Sequence, residues 1–327
     1  MLYVVLYCAV LTNRKDVTMK QNIFLKRGKV LELMALAKVG AYPELLAKVT
    51  KITRQAKEQE REGYIRAYSK LEEFLSNIIE HADYSPKFSV FVKGNGKLPF
   101  LSFSNAPIVN CMGMGECEKF CYSLRAFRYP FPQCRMIPNT ILMSEKKGRK
   151  VIFDELVKWT KKPSLARLPH IDFRLYVDGD FADSDQLLYW METLKKLPQI
   201  KAYGYSKSIP LFLALLEKGY KFPENYLLNE SNGGKFEHLW SQLESHPNSP
   251  TRGRFLAVKL DGKRSGSNRT DRDRVDIKAT LGTVSEYKEK TGRGYFICGG
   301  KCGDCTSIGH ACGIPQFKNI DIVIPIH

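Results

Sequence analysis

The sequence predicts an α/β fold that is preceded by a helical extension and followed by a cysteine-rich segment. From about Lys87 onward, short β-rich runs alternate with amphipathic stretches of helical period, which is typical of βα units around a largely parallel sheet. From Lys20 to about Ala82, Leu, Ala, Glu, Lys and Arg dominate, and apolar residues recur near helical spacing. The chain also ends with a cluster of cysteines between Cys298 and Cys312. We therefore divide it into a helical extension (1–86), an α/β domain (87–297) and a cysteine-cluster segment (298–327).

The βα alternation can be assigned run by run. The candidate strands are Leu98–Ser104, Asp172–Val177, Ile200–Tyr205, Tyr226–Asn229, Phe255–Lys259 and Tyr295–Ile297. The candidate helices are Asn139–Lys161, Ser184–Lys196, Ile209–Lys218, Phe236–Ser245 and Thr283–Lys290. This alternation fits an open barrel or a doubly wound sheet, and in both the functional residues gather where the strands end in their βα loops.

Net charge indicates the class of partner. The chain carries 51 Lys and Arg against 34 Asp and Glu, a formal charge of +17. Because these basic residues are spread along the chain, nucleic acid is the expected polyanion ahead of a membrane surface, and charge does not separate DNA from RNA. A basic surface that only aids solubility would have the same net charge. No apolar run reaches the roughly 18 residues that a transmembrane helix needs, so no membrane partner is predicted.

The cysteines and the N-terminus indicate the compartment. Met1–Leu11 is apolar but lacks the basic region and cleavage site of a secretory signal, so we interpret it as a short strand or an N-terminal extension. Clustered cysteines without a secretory signal favour metal ligation in a reducing compartment over disulfides. The expected location is therefore the cytoplasm.

A loop after the first predicted strand holds three cysteines, Cys111, Cys117 and Cys121, together with two glycines. Thiolates this close on a flexible loop can converge on one soft metal ion or on the irons of one cluster. Three ligands leave one coordination position open for chemistry. The alternative is a closed structural zinc site with Cys134 as the fourth ligand, and spacing alone does not separate zinc from iron–sulfur.

An acidic turn follows the second predicted strand, with Asp178, Gly179 and Asp180 in sequence. The two carboxylates can accept hydrogen bonds from an ammonium group, and Gly179 lets the backbone approach a ligand closely. The alternative is an ordinary Asp-Gly turn, with Asp183 or Ser184 capping the next helix.

Polar residues also end the next strands. Ser206 and Lys207 can contact a carboxylate or phosphate, or can belong to a helix cap, and Asn229–Gly233 ends the fourth strand in a similar way. The charged loop from Asp261 to Asp276 can be a nucleic-acid arm or merely a solvated loop. It contains Lys263, Arg264, Arg269, Arg272 and Arg274.

This order of features resembles the radical S-adenosylmethionine (SAM) superfamily, in which a strand, a three-cysteine loop with an adjacent aromatic and an acidic Gly turn follow one another. The closer resemblance is to the phage gene product 88 family, and it extends over roughly Lys97 to Gly313. The matching features are Cys111-x5-Cys117-x3-Cys121-Tyr122, Gly179-Asp180-Phe181, Tyr205-Ser206-Lys207-Ser208 and the terminal cysteine cluster.

The radical SAM resemblance implies a partial (β/α) barrel and a possible radical SAM enzyme. It implies that Cys111, Cys117 and Cys121 hold a [4Fe–4S] cluster whose remaining iron binds SAM. Asp178, Gly179 and Asp180 would then face the methionine ammonium, and Lys207 or Ser206 would reach its carboxylate. The loop departs from the superfamily's usual C-x3-C-x2-C spacing.

The terminal cluster does have that usual spacing, in Cys298, Cys302 and Cys305. It follows the last predicted strand, however, and Cys312 supplies a fourth thiolate. His310 is an alternative to one of the thiolates beside Cys305 and Cys312. We therefore interpret it as a closed site for a second iron–sulfur cluster or zinc.

Together these observations lead to two hypotheses. The first is a radical-SAM-like iron–sulfur protein that acts on or binds nucleic acid or nucleotides, with polyanions held by the N-terminal helices and the Lys263–Arg274 loop. The alternative is a non-enzymatic, zinc-stapled nucleic-acid-binding protein of a mobile element or phage.

Overall fold

The computed structural model describes residues 24–95, 97–260, 271–303 and 305–326. Within these ranges the chain forms two compact units, neither of which is continuous in sequence. The helical unit contains the described residues up to Phe91 together with Phe103–Asn110 and Tyr122–Ala166. The sheet unit contains Val92–Ser102, Cys111–Cys121 and the described residues from Arg167 onward. The predicted N-terminal segment Met1–Leu11 lies outside the described residues.

The helical unit confirms the predicted helical character of the N-terminal region. Its α-helices are α1 Arg27–Lys38, α2 Tyr42–Glu58, α3 Glu62–His81, α4 Pro130–Ser144, α5 Lys146–Thr160 and the short α6 Pro163–Ala166. The apolar residues at helical spacing on α3, such as Leu71, Phe74 and Leu75, are buried, as that spacing predicts. A polar contact crosses this core, because the buried Tyr68 hydroxyl donates to Gln133 Oε1 at 2.6 Å.

A side chain on α4 fixes an extended stretch against the helices of this unit. Asn139 Nδ2 donates to the carbonyl oxygens of Val90 at 3.0 Å and Ser104 at 2.8 Å. Thr140 Oγ1 accepts from the Ala106 backbone N–H at 3.0 Å. Buried backbone groups are costly to leave unpaired, so these bonds account for how residues 103–110 pack without secondary structure.

The sheet unit is an open eight-stranded sheet with the spatial order β1-β2-β3-β4-β5-β6-β8-β7. β1 pairs antiparallel with β2, and all the remaining pairs of neighbouring strands are parallel. The strands are β1 Val92–Asn95, β2 Leu98–Ser102, β3 Ile171–Leu175, β4 Ile200–Ser206, β5 Tyr226–Ser231, β6 Thr251–Val258, β7 Gly294–Ile297 and β8 Ile320–Pro325. This confirms the α/β class. The order from β2 to β6 follows the sequence, and it lacks the reversal of strand order by which a doubly wound sheet is defined.

Helices follow most strands of this sheet, as the alternation predicted. They are α7 Ser184–Lys196, α8 Ile209–Glu217, α9 Trp240–Ser245, α10 Asp271–Leu281 and α11 Val284–Thr291. Asp183 caps α7 by accepting from the Gln186 N–H at 2.8 Å, and Thr283 and Glu286 form a capping box at α11. Both helices therefore begin where their sequences place a good cap.

Several features differ from the sequence prediction, and one of them is the single helix predicted over Asn139–Lys161, which is divided into α4 and α5. β1 and β8 were not predicted, and β8 inserts between β6 and β7 although it comes last in the chain. The charged stretch predicted as a loop to Asp276 instead enters helix α10 at Asp271. The reason is the spacing of Ile277 and Leu281, which lie one turn apart and pack into the cluster around Tyr287 and Val323. Residues 261–270 lie outside the described ranges.

Candidate metal and ligand site

The three-cysteine loop is attached by backbone contacts to the loop that follows β5. Cys117 N–H donates to the Gly233 carbonyl at 2.9 Å, and Lys235 N–H donates to the Gly113 carbonyl at 3.1 Å. Met114 and Gly234 form an isolated antiparallel bridge between these hydrogen bonds. The cysteine loop therefore lies against the carboxyl end of a parallel strand.

Glycines make this approach possible. A Cβ on Gly113 would come within 1.9 Å of the Lys207 carbonyl oxygen, so the cysteine loop also contacts the loop that follows β4. Gly233 adopts a φ of +79°, and a Cβ there would be 2.9 Å from Cys117 Cβ. Backbone without side chains is needed at both points because any other residue would displace the loop.

Asp180 joins the loops that follow β3 and β4. Its carboxylate is buried and accepts from Ser206 Oγ at 2.7 Å and from the Lys207 backbone N–H at 2.9 Å. Ser208 Oγ donates in return to the Phe181 carbonyl at 3.0 Å. The structure thus brings together Asp180, Ser206 and Lys207, which were predicted separately from the sequence. The hydrogen bond between Asp180 and Ser206 connects the two loops and holds them in place. Both are therefore positioning residues.

Burial affects the acidity of Asp180. Desolvation raises the pKa of this carboxyl, because the charged form loses its water, and the hydrogen bonds from Lys207, Ser206 and Phe181 oppose that shift. Asp178 and Gly179 precede it in the same turn and are partly exposed, with Gly179 at a φ of +84°. The more accessible part of the acidic turn is therefore Asp178 and Gly179.

Lys207 lies at the same carboxyl edge of the sheet. Its Nζ donates to Ser231 Oγ at 2.7 Å, at the end of β5. On β3 the guanidinium carbon of Arg174 lies 4.7 Å from the centre of the Tyr205 ring. The register of β3 with β4 and of β4 with β5 places Arg174, Tyr205 and Ser231 on one face of the sheet. An ammonium and a guanidinium on one face can bind an anionic group.

The terminal cysteine segment packs on that same face. Cys312 is buried in a cluster with Tyr203 and Ile322, and Cys298 and Cys305 pack against this cluster. Cys305 Sγ accepts from the Ala311 N–H at 3.3 Å. Burial raises the pKa of Cys312 to about 12, and Cys298 and Cys302 are near enough to add to this electrostatically.

His310 has a partner other than a cysteine. Its Nε2 lies 3.1 Å from Asp172 Oδ1, and its ring contacts Phe100 and Tyr203, with centroid distances of 4.6 and 4.7 Å. His170 Nε2 lies 3.5 Å from the same Asp172 oxygen. The sequence offered no signal for Asp172, since its histidine partner His310 is 138 residues away.

The donor atoms suit soft metals, but they do not converge. Six partly exposed cysteines in two groups supply thiols of the kind that iron–sulfur clusters and zinc require. Among the described residues, no three His, Cys, Asp or Glu side chains are arranged to hold one metal ion. Metal binding at either group therefore requires cysteine side chains to rotate toward a common point, and the ligand roles stay predictions.

Cys134 is a buried residue of the helical unit on α4. Burial raises the pKa of its thiol well above the ordinary value, and this disfavours the thiolate that a metal needs.

The basic loop falls only partly within the described ranges. Lys263, Arg264 and Arg269 lie outside them, and Arg272 and Arg274 fall within α10. Over the part of the chain that the structure describes, no helix has the length and hydropathy of a membrane span.

The Gly233-Gly234 pair, which forms the contact surface for the cysteine loop, was not predicted from the sequence. The only signal in the sequence was the polar end of β5, and the sequence does not indicate which loop contacts it.

Comparison with known proteins identifies the family of the chain. No curated protein matches the chain, and no solved structure matches it. A family model described as Gene product 88 matches residues 49–311, which is well over half of the chain and includes both cysteine groups except Cys312. The match confirms the resemblance to the phage family, and we conclude that the chain belongs to the Gene product 88 family.

Proposed function

We propose that this chain is a radical-SAM-like iron–sulfur protein that acts on or binds nucleic acid or nucleotides. The cluster ligands in this proposal are Cys111, Cys117 and Cys121. One observation carries it: the loop with these cysteines contacts the loops after β4 and β5 at the carboxyl edge of a parallel sheet. Functional sites of parallel α/β proteins gather at that edge, whereas a structural zinc site has no reason to lie there.

The strand order supports the radical-SAM part of the proposal. β2 to β6 lie side by side in chain order, as in a partial (β/α) barrel. When bound, a [4Fe–4S] cluster with an open iron supplies electrons and a coordination position for the amino and carboxylate groups of SAM.

The protein side chains have separate tasks in this proposal. Asp180 and Ser206 hold the loop that carries Lys207. The Lys207 ammonium, at 2.7 Å from Ser231 Oγ, attracts a carboxylate or phosphate. Asp178, in the more accessible half of the acidic turn, accepts from an ammonium group. The terminal segment, which packs on one face of the sheet, holds a second iron–sulfur cluster or zinc. Its ligands are Cys298, Cys302, Cys305 and Cys312.

The buried position of Cys134 gives the zinc alternative a cost of deprotonation, which the buried Cys312 of the terminal group shares. A closed site on Cys111, Cys117, Cys121 and Cys134 needs a thiolate at Cys134, whose pKa is raised by burial. Zinc binding would have to offset the free energy of deprotonating that buried thiol.

The test is metal analysis of anaerobically purified protein together with a SAM-binding measurement. We expect iron and acid-labile sulfide, a brown colour, and the loss of one cluster's iron in Cys117→Ser. Cys134→Ser is the matched control, and its iron content should equal that of the wild type. Stoichiometric zinc without iron, or loss of metal in Cys134→Ser, would overturn the proposal. Iron without SAM binding would reduce it to an iron–sulfur protein with a structural or redox role.

A further inference from the structure

Two exposed tyrosines delimit an unusual surface of the helical unit. Among the Phe, Tyr and Trp side chains that the structure describes, only Tyr122 and Tyr129 are exposed, at 56% and 63%. They flank the 3₁₀ helix Tyr122–Arg128, one at its first residue and one just after its last. Both exposed rings therefore lie in one short segment of the chain.

The geometry of this 3₁₀ helix sorts its residues into two faces. A 3₁₀ helix has three residues per turn, so side chains three residues apart lie in one column. Leu124 and Phe127 form a buried column. Tyr122, Arg125 and Arg128 share the next column, and all three are exposed. The exposed column therefore presents one aromatic ring followed by two guanidinium groups, with the Tyr129 ring directly after them.

The charged residues within the segment itself are all basic. No acidic residue occurs between Tyr122 and Ser144 in the sequence. A further exposed arginine, Arg66 on α3, lies with its guanidinium carbon 5.1 Å from the centre of the Phe131 ring, two residues beyond Tyr129. This surface thus combines positive charge with accessible π faces.

We infer that this surface, formed by Tyr122, Arg125, Arg128 and Tyr129, binds single-stranded nucleic acid. Tyrosine rings stack on unpaired bases, and arginines neutralise the adjacent phosphates. A duplex keeps its base faces within its own stack and offers the tyrosines nothing to stack on. This inference rests on the nucleic-acid part of the proposed function and narrows it to single strands.

The test measures binding of a fluorescent oligothymidylate, an oligouridylate and a DNA duplex as a function of salt. Tyr129→Ala should weaken single-strand binding by roughly 5- to 150-fold, the range for removal of one stacking platform, and Tyr129→Phe should restore it. In Arg125→Ala/Arg128→Ala, the log–log salt slope should flatten by about 0.7 for each phosphate that is no longer neutralised. The matched control is Lys218→Ala/Lys221→Ala, which removes the same charge from two exposed positions of the sheet unit.

Each result has a distinct meaning. If the wild type binds no nucleic acid at low salt, the nucleic-acid part of the proposed function fails and this inference fails with it. If the wild type binds but the tyrosine and arginine variants match the lysine control, the inference alone is overturned. Tighter binding of duplex than of single strands would also overturn it. Iron content of each variant is measured in parallel, because Tyr122 follows Cys121 directly and cluster loss must be separated from the loss of stacking.

Discussion

Two buried acidic residues of this protein, Asp180 and Glu230, accept hydrogen bonds from other residues of the chain. Asp180 resembled a ligand contact in the sequence, yet its carboxylate accepts from Ser206 and the Lys207 backbone and thereby sets the position of Lys207. Glu230, on β5, is likewise buried, with Oε1 accepting from Thr251 Oγ1 at 3.1 Å.

Glu230 makes the stability of the protein dependent on pH. Burial is the main cause that raises the pKa of Glu230, and neighbouring Glu244 raises it further, while Arg254 opposes the shift. The folded protein therefore keeps a proton that the unfolded chain releases above its ordinary pKa of about 4.3. The free energy of unfolding should fall as pH rises from that value, by at most about 1.4 kcal/mol per unit, until the raised pKa is passed.

Glu230→Gln removes this difference in proton binding between the folded and unfolded states. The unfolding free energy of the variant should therefore fall less steeply between about pH 5 and 8 than that of the wild type. Urea denaturation across this range measures the difference. The exposed Glu224→Gln is the control and should reproduce the wild-type slope. Parallel pH profiles for wild type and Glu230→Gln would show that Glu230 is ionised in the folded state.

At the scale of elements, the position of the cysteine loop depends on glycine as much as on cysteine. Gly113 and Gly234 bring two backbones together, and the hydrogen bonds on either side hold the loop against the ends of β4 and β5. Thiolates can share a metal only where the loop that carries them is fixed.

Gly113→Ala should detach this loop, because its Cβ would overlap the Lys207 carbonyl oxygen at 1.9 Å. We expect a decrease of about 1–3 kcal/mol in unfolding free energy, typical of overpacking, together with a loss of bound metal. Gly294→Ala is the control, since its Cβ would meet only side-chain atoms at 3.9 Å or more. Equal stability and equal metal content in the two variants would contradict the role given to Gly113.

For the whole molecule, the charge of +17 predicts polyanion binding that depends steeply on salt. The sequence predicted that part of this binding lies in the basic loop between Lys263 and Arg274. Arg269, Arg272 and Arg274 replaced together by Ala should flatten the salt slope by about 0.7 on single strands and about 0.9 on duplex for each phosphate left without a cation. Metal content should be unchanged. An unaltered slope would leave the N-terminal helices and the surface around Tyr122 and Tyr129 as the remaining candidates.

The sequence by itself determined the local structure. Helical and strand periods predicted strands β2 to β7 in their order, and Asp183, one of two candidate caps, is the cap of α7, because periodicity and capping depend on residues only a few positions apart. The cysteine spacing and the polar strand ends likewise predicted which loops form the candidate site. The family match over residues 49–311 confirmed the predicted resemblance and extended it toward the N-terminus beyond Lys97.

Only the tertiary structure decided the partners of these residues. It placed β8 between β6 and β7, paired Asp172 with His310 across 138 positions, and turned Asp180 inward to Ser206. The local sequence of a carboxylate next to a glycine is the same whether the carboxylate faces a ligand or a neighbouring loop. Which of the two it faces depends on the desolvation and hydrogen bonding that packing imposes, and packing is a property of residues far apart in the chain.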